Sequence, residues 1–132
     1  MPDDRVSAWD ANTICCVTAS HRETANPLAV AGTLGILSGI EYAAQAMAIH
    51  GGLTVTAGRR PKSGYLASVR ALIATVARLD DRPGNLTIEA KLLMREGFRV
   101  SYGFTLFSGG ELLLTGRAAV VLDAAEPSGE RP

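Results

Sequence analysis

Residues 32–53 read GTLGILSGIEYAAQAMAIHGGL, and this stretch decides the fold of the chain. Alanine, leucine and isoleucine dominate it, Thr33 suits the N-cap position, and Gly51-Gly52 is typical of a helix end. We therefore predict a helix over residues 34–50. Because most of its residues are apolar or small, we expect the helix to be buried on all sides.

Two polar residues interrupt this apolar helix. Glu41 and Gln45 are four residues apart, which places them on the same helical face. A carboxyl group in apolar surroundings costs free energy unless it is paired or hydrogen-bonded. The face that carries this pair is therefore the first place to look for chemistry.

Strand patterns occur on both sides of the helix. Residues 13–18 are β-branched or small and apolar, a short strand around residues 6–9 precedes them, and a loop over 19–33 leads to the helix. Alternating or β-branched segments separated by turns rich in Asp and Gly predict four later strands, over 65–79, 86–94, 100–106 and 112–122.

A sheet wrapped around an apolar helix covers the apolar faces of both, which is the outline of an α+β hot-dog fold. We expect a single domain over residues 1–122 and a disordered tail over 123–132. The final strand is expected to form a sheet edge, and such edges are often paired in a dimer.

Composition excludes several classes of function. The 13 basic and 13 acidic residues balance, so nothing favours nucleic-acid binding. No uncharged apolar run is long enough for a membrane span, and the acidic N-terminus is unlike a signal peptide, so we expect a cytoplasmic protein. The adjacent Cys15 and Cys16 predict neither a disulfide nor a metal site, and we expect both to be buried.

Several segments together resemble the hot-dog 3-hydroxyacyl-[acyl-carrier-protein] dehydratases, in particular the small dehydratase-like proteins of aryl polyene gene clusters. The resemblance covers about residues 3–122, and GIEYAAQAMA is its most specific part. The other segments that carry it are SHRETANPL, GYLASVR, ARLDDRPGNLTIEA and LLLTGRAAVVL.

The resemblance implies a dehydratase that forms trans-2-enoyl thioesters in fatty-acid or polyene biosynthesis. It assigns the catalytic base to His21 and the acid to Glu41, and we expect Gln45 to support Glu41 by a hydrogen bond. In this superfamily the two catalytic side chains come from different subunits, which implies a homodimer; a hetero-oligomer with another dehydratase-like subunit stays open. The implied partner is an acyl carrier protein, whose phosphopantetheine arm arrives with the substrate, and no metal or other cofactor is expected.

Two further groups of residues are candidates for contacts with the substrate and its carrier. Unpaired backbone N–H groups near Gly32 and Gly35, at the positive end of the helix dipole, suit the developing thioester oxyanion. Arg59, Arg60 and Lys62 form a basic cluster that suits an acidic carrier protein, although a solvated loop is the slightly favoured explanation.

Other functions remain open at this stage. A hot-dog thioesterase would use Glu41, ionised, to activate water. A non-catalytic hot-dog subunit is suggested by Arg22, which stands where related dehydratases carry an aromatic residue, and by the lack of their usual leader before Val6. His50 is a rival base, but it lies on the helical face opposite Glu41, and we expect it to cap the C-terminal end of the helix.

Overall fold

The computed structural model describes residues 5–22, 26, 34–53, 64–97 and 99–122. Within these residues, one α-helix, α1 (Gly39–Leu53), accompanies six strands. Two 3₁₀ turns also occur, at Ser20–Arg22 and at Ile36–Ser38. The strands are β1 (Arg5–Trp9), β2 (Thr13–Thr18), β3 (Gly64–Ala74), β4 (Leu86–Glu96), β5 (Arg99–Ser108) and β6 (Glu111–Leu122).

The six strands form one antiparallel sheet in the order β1-β2-β4-β5-β6-β3. Helix α1 packs across β2, β4 and β5, so the predicted hot-dog architecture is confirmed. The position of the final strand was predicted incorrectly. β6 lies between β5 and β3, because β3 folds back alongside it, and the edges of the sheet are therefore β1 and β3.

The core lies between one face of the helix and the sheet. Small residues at the contact, Gly39, Ala43 and Ala46, allow close approach, and an added Cβ at Gly39 would lie 2.8 Å from side-chain carbons of both Leu106 and Leu114. The alternation predicted for β5 is confirmed, since its core-facing residues are all buried: Val100, Tyr102, Phe104 and Leu106.

Turn chemistry agrees with the sequence at the hairpin between β5 and β6. Gly109 and Gly110 have φ angles of 59° and 83°, the left-handed pair that a two-residue type I′ turn requires. The alternation predicted for β4 holds only in part. A register shift between Leu92 and Met94 turns Met94 outward, and it is 56% exposed.

Three local expectations need correction. The helix begins later and ends later than predicted, since a 3₁₀ turn precedes it and it continues through Gly51-Gly52 to Leu53. β3 ends at Ala74, and the chain turns over the following residues. Of the two cysteines, neither of which forms a disulfide, Cys16 is buried but Cys15 is only partly so. The predicted tail, residues 123–132, lies outside the described residues.

Within the described residues, no helix has both the length and the apolar character needed to span a bilayer.

Candidate active site

The candidate base, His21, lies in the 3₁₀ turn that follows β2. It is 1% exposed, which is unexpected for a histidine in a polar loop. Its Nε2 atom lies 3.0 Å from the backbone carbonyl oxygen of Arg82, in the loop between β3 and β4. A carbonyl can only accept a hydrogen bond, so Nε2 carries the proton and donates it.

This hydrogen bond fixes the state of the other ring nitrogen. In a neutral imidazole with its proton on Nε2, Nδ1 presents an unprotonated lone pair. Nδ1 of His21 is buried and has no hydrogen-bond partner among the described residues. The ring is therefore arranged as a base with its accepting nitrogen unoccupied.

Burial lowers the pKa of His21 below its ordinary value, and the nearby charge of Arg22 acts in the same direction. The backbone carbonyls of Arg82 and Gly84 favour the protonated ring and partly oppose this shift. The result favours the neutral imidazole near pH 7, which is the form that accepts a proton.

The loop that contacts His21 also holds the start of the helical segment. Asp80 Oδ1 accepts hydrogen bonds from the backbone N–H of Leu34, at 2.9 Å, and from Nε of Arg78, at 3.1 Å, while its Oδ2 pairs with Nη2 of Arg78. The Arg78 guanidinium, followed by the Leu34 N–H, holds the pKa of the Asp80 carboxyl well below its usual range. Sequence analysis identified Asp80 only as part of a turn and missed this role.

The structure contradicts the expectation that the helix is buried on all sides. Glu41 and Gln45 are exposed, because the sheet of a single chain covers only one face of α1. Among the described residues no hydrogen bond joins the two side chains, and none joins Glu41 to His21.

The exposed face of the helix is nevertheless largely apolar. Ile49 and Leu53, which follow Gln45 on α1 at a spacing of four residues, are exposed at 42% and 39%, and Leu37, in the 3₁₀ turn before the helix, is exposed at 63%. Several exposed apolar side chains near one another are typical of surfaces that contact another protein.

The proposed oxyanion donors are tested only in part. Gly35 is exposed and extended, with φ −72° and ψ 160°, and it precedes the 3₁₀ turn. On either side of it, the N–H of Leu34 donates to Asp80 and that of Ile36 donates to the carbonyl of Ala77 at 2.9 Å. The donor role of Gly35 stays a prediction.

His50 makes side-chain contacts that the expected capping role did not include. It is fully buried; its Nε2 lies 2.9 Å from the carbonyl oxygen of Asp10, and its Nδ1 lies 2.7 Å from Oη of Tyr102. The side chain therefore ties the end of α1 to the sheet. The prediction that His50 and Glu41 lie on opposite helical faces is confirmed, since one is buried and the other exposed.

Some predicted site residues lie outside the described residues, namely Gly32, Arg59, Arg60 and Lys62. Within the part of the chain that the structure describes, no cluster of three or more His, Cys, Asp or Glu side chains is arranged to hold a metal ion.

A cleft of about 680 Å³ lies along the sheet and is lined by residues of all six strands. Among its lining residues are Cys15, Glu89, Lys91 and Arg117, but neither His21 nor Glu41. The chemistry of the candidate site therefore does not coincide with this cleft.

Comparison with solved structures places the fold among dehydratases and thioesterases. The dehydratase heterocomplex ApeI:P from Xenorhabdus doucetiae is similar, with a TM-score of 0.80 and 23% identity over 95% of this chain and 85% of that chain. A mutant thioesterase from Pseudomonas aeruginosa has a TM-score of 0.67 and 15% identity over 90% and 80% of the two chains.

A hypothetical thioesterase from Streptococcus pneumoniae, solved with coenzyme A, has a TM-score of 0.66 and 10% identity over 93% of this chain and 88% of that chain. At these identities the likeness shows the fold alone. The search of curated proteins gave no significant match.

The family comparison is more specific than these structural matches. A family model described as ApeP-like, ApeP dehydratase, matches residues 4–128, which is nearly the whole chain. The chain belongs to the ApeP-like dehydratase family.

Proposed function

We propose that this protein dehydrates a 3-hydroxyacyl thioester carried on an acyl carrier protein and releases a trans-2-enoyl thioester. The observation that carries the proposal is the state of His21 in a chain of this family. Its Nε2–H is held by the Arg82 carbonyl, and its Nδ1 lone pair has no partner among the described residues.

The proposed reaction uses one base and one acid. Nδ1 of His21 takes the C2 proton of the substrate, and negative charge develops on the thioester oxygen. The C3–O bond then breaks, Glu41 gives its proton to the departing hydroxyl to form water, and the C2–C3 double bond remains. Proton exchange with solvent restores neutral His21 and protonated Glu41.

A second hot-dog chain is needed to complete this site. Within one chain Glu41 is exposed, and no described contact joins it to buried His21. We propose that Ile49 and Leu53 of α1, with Leu37 just before the helix, pack against a partner chain, so that Glu41 of one chain faces the base of the other. The partner is a second copy or a related dehydratase-like chain, in keeping with the similar protein that is described as a heterocomplex.

The test is conversion of a 3-hydroxyacyl carrier-protein thioester, followed by the absorbance of the conjugated enoyl product. His21→Gln retains an N–H that can donate to the Arg82 carbonyl but removes the basic nitrogen. Glu41→Gln removes the acid without changing its size. We expect each to lower kcat by about 10²–10⁴-fold.

Glu89→Gln is the matched control for Glu41→Gln, because Glu89 is also an exposed carboxylate but lies on β4 beside the sheet cleft. It should leave turnover unchanged. Undiminished turnover in both His21→Gln and Glu41→Gln contradicts the site assignment. Release of free thiol without enoyl product would establish a thioesterase instead.

A non-catalytic subunit is the second candidate, and the burial of His21 favours it, because a base must come within hydrogen-bonding reach of the proton it removes. Mixing the chain with an active dehydratase-like partner distinguishes the two. If turnover appears only in the mixture and survives His21→Gln and Glu41→Gln in this chain, the chain supports its partner without catalysing the reaction.

A further inference from the structure

The hydroxyl group of Tyr42 lies at the centre of a buried hydrogen-bond network. Tyr42 follows Glu41 directly on α1 and is 7% exposed. Its Oη accepts a hydrogen bond from Nδ2 of Asn26 at 2.9 Å and shares another, at 2.8 Å, with Oγ of Ser20. The network thus joins the helix to the segment that carries His21.

The same network fixes Ser20, the residue immediately before His21. Nδ2 of Asn26 also donates to the Ser20 carbonyl at 2.8 Å, and the Ser20 N–H donates to Oγ1 of Thr18 at 3.0 Å. The Thr18 hydroxyl donates in turn to Oγ of Ser20 at 2.9 Å. The backbone N–H, the carbonyl and the side chain of Ser20 are therefore all held.

Fixing Ser20 orients the ring of His21, because both belong to the same short 3₁₀ turn. The far side of the ring is held separately by the Arg82 carbonyl. Two independent attachments, one to the helix and one to the loop between β3 and β4, therefore define where Nδ1 lies. A displacement of about 1 Å at a reacting group can cost about a hundredfold in rate.

We propose that Tyr42 is a positioning residue for the reaction: its hydroxyl ties the turn that bears His21 to the helix that bears Glu41. This positioning role of Tyr42 rests on the proposed function. The turn carries the proposed base and the helix carries the proposed acid. By joining the two, the hydroxyl of Tyr42 fixes the position of each within the fold of the chain.

Tyr42→Phe tests the proposal, because it removes the hydroxyl and retains the ring. We expect kcat to fall by about ten- to a hundredfold while KM changes by less than about twofold, as for loss of an interaction that matters in the transition state. Ser20→Ala removes a hydroxyl group of the same network on the side of the 3₁₀ turn. If the hydroxyl groups of Tyr42 and Ser20 act as a unit, the double variant Tyr42→Phe/Ser20→Ala should have a kcat little lower than that of either single variant.

Tyr102→Phe is the matched control. It also removes a buried tyrosine hydroxyl bonded to a polar partner, Nδ1 of His50, but at the other end of the helix. We expect it to lower the denaturation midpoint while leaving kcat unchanged. If both variants lower kcat in proportion to their loss of stability, Tyr42 is merely structural and the proposal is overturned.

A readout independent of turnover separates this proposal from the proposed function. The chain contains two histidines, so His50→Gln assigns the two imidazole signals in an NMR titration. Tyr42→Phe should shift the titration of His21, and Tyr102→Phe should leave it in place. If the wild-type protein has no dehydratase activity but Tyr42→Phe still shifts the titration of His21, the proposed function is overturned and the tie is supported.

An unchanged His21 signal together with unchanged kcat in Tyr42→Phe overturns the tie even if the wild-type protein is active. If Tyr42→Phe does not fold, Ser20→Ala gives the same two readouts and decides between these outcomes.

Discussion

The two histidines are both buried, and they differ in how their ring nitrogens are satisfied. His50 has a partner on each nitrogen, Tyr102 and the Asp10 carbonyl, as expected for a structural side chain. His21 has a partner on one nitrogen only, and its Nδ1 is an orphaned buried polar atom among the described residues. An unpaired buried acceptor costs free energy, so its presence is more typical of a functional group than of a structural one.

The lowered pKa of His21 predicts how activity depends on pH. A base acts only when unprotonated, so kcat/KM should be constant around neutrality and fall on the acid side with a midpoint below about 6.5, the ordinary value for histidine. The measurement is a pH profile of kcat/KM for the carrier-bound substrate. A midpoint above that ordinary value contradicts the assignment of His21 as a base in this buried setting.

The same shift predicts how stability depends on pH. Below about pH 6.5 the unfolded chain takes up a proton that folded His21 resists, so this group makes the free energy of unfolding fall as the pH falls. Above that pH, His21 does not make the free energy of unfolding depend on pH. His21→Gln should therefore show a weaker decline in stability over the acid range than the wild-type protein, measured by denaturant titration at each pH.

At the scale of secondary structure, α1 depends on small residues where it meets the sheet. Gly39 begins the helix, and its close approach to Leu106 and Leu114 leaves no room for a side chain. Gly51 lies in the same helix, and nothing lies within 4 Å of a Cβ added there. The two glycines therefore have opposite consequences for substitution.

We predict that Gly39→Ala destabilises the protein by about 1–3 kcal/mol, because the added methyl group overpacks the contact between helix and sheet. Gly51→Ala should instead be neutral or stabilising by up to about 1 kcal/mol, because alanine favours the helix. Denaturant unfolding of both variants measures the difference. Equal effects of the two substitutions would show that helix propensity, and not packing at Gly39, controls the docking of α1.

At the scale of the whole molecule, exposed apolar side chains near Glu41 and Gln45 are the candidate contact with a partner chain. They are Ile49 and Leu53 on α1 and Leu37 in the 3₁₀ turn before it. We predict that Ile49→Arg shifts the protein to a smaller species in sedimentation velocity and abolishes dehydration, because the charge would be buried at the interface without a partner.

Leu93→Arg is the matched control for this prediction. Leu93 is 48% exposed, close to the 42% of Ile49, but it lines the sheet cleft instead of the helix face. It should change neither the sedimentation coefficient nor the activity. Dissociation by Leu93→Arg and not by Ile49→Arg would place the interface on the sheet.

Local patterns in the sequence determined the fold and the family of this protein. The period of the strands, the Gly109-Gly110 turn and the helix of small apolar residues predicted a hot-dog fold, because periodicity and turn chemistry depend on neighbouring residues. The resemblance of the helix segment also predicted the dehydratase family.

Only the tertiary structure decided the state of the site, because the deciding contacts join residues far apart in the chain. His21 meets the carbonyl of Arg82, Tyr42 meets Ser20, and His50 meets Tyr102 only once the sheet has closed around the helix. The sheet of one chain packs against only one face of α1, which is why the helix expected to be fully buried presents Glu41 on an exposed surface.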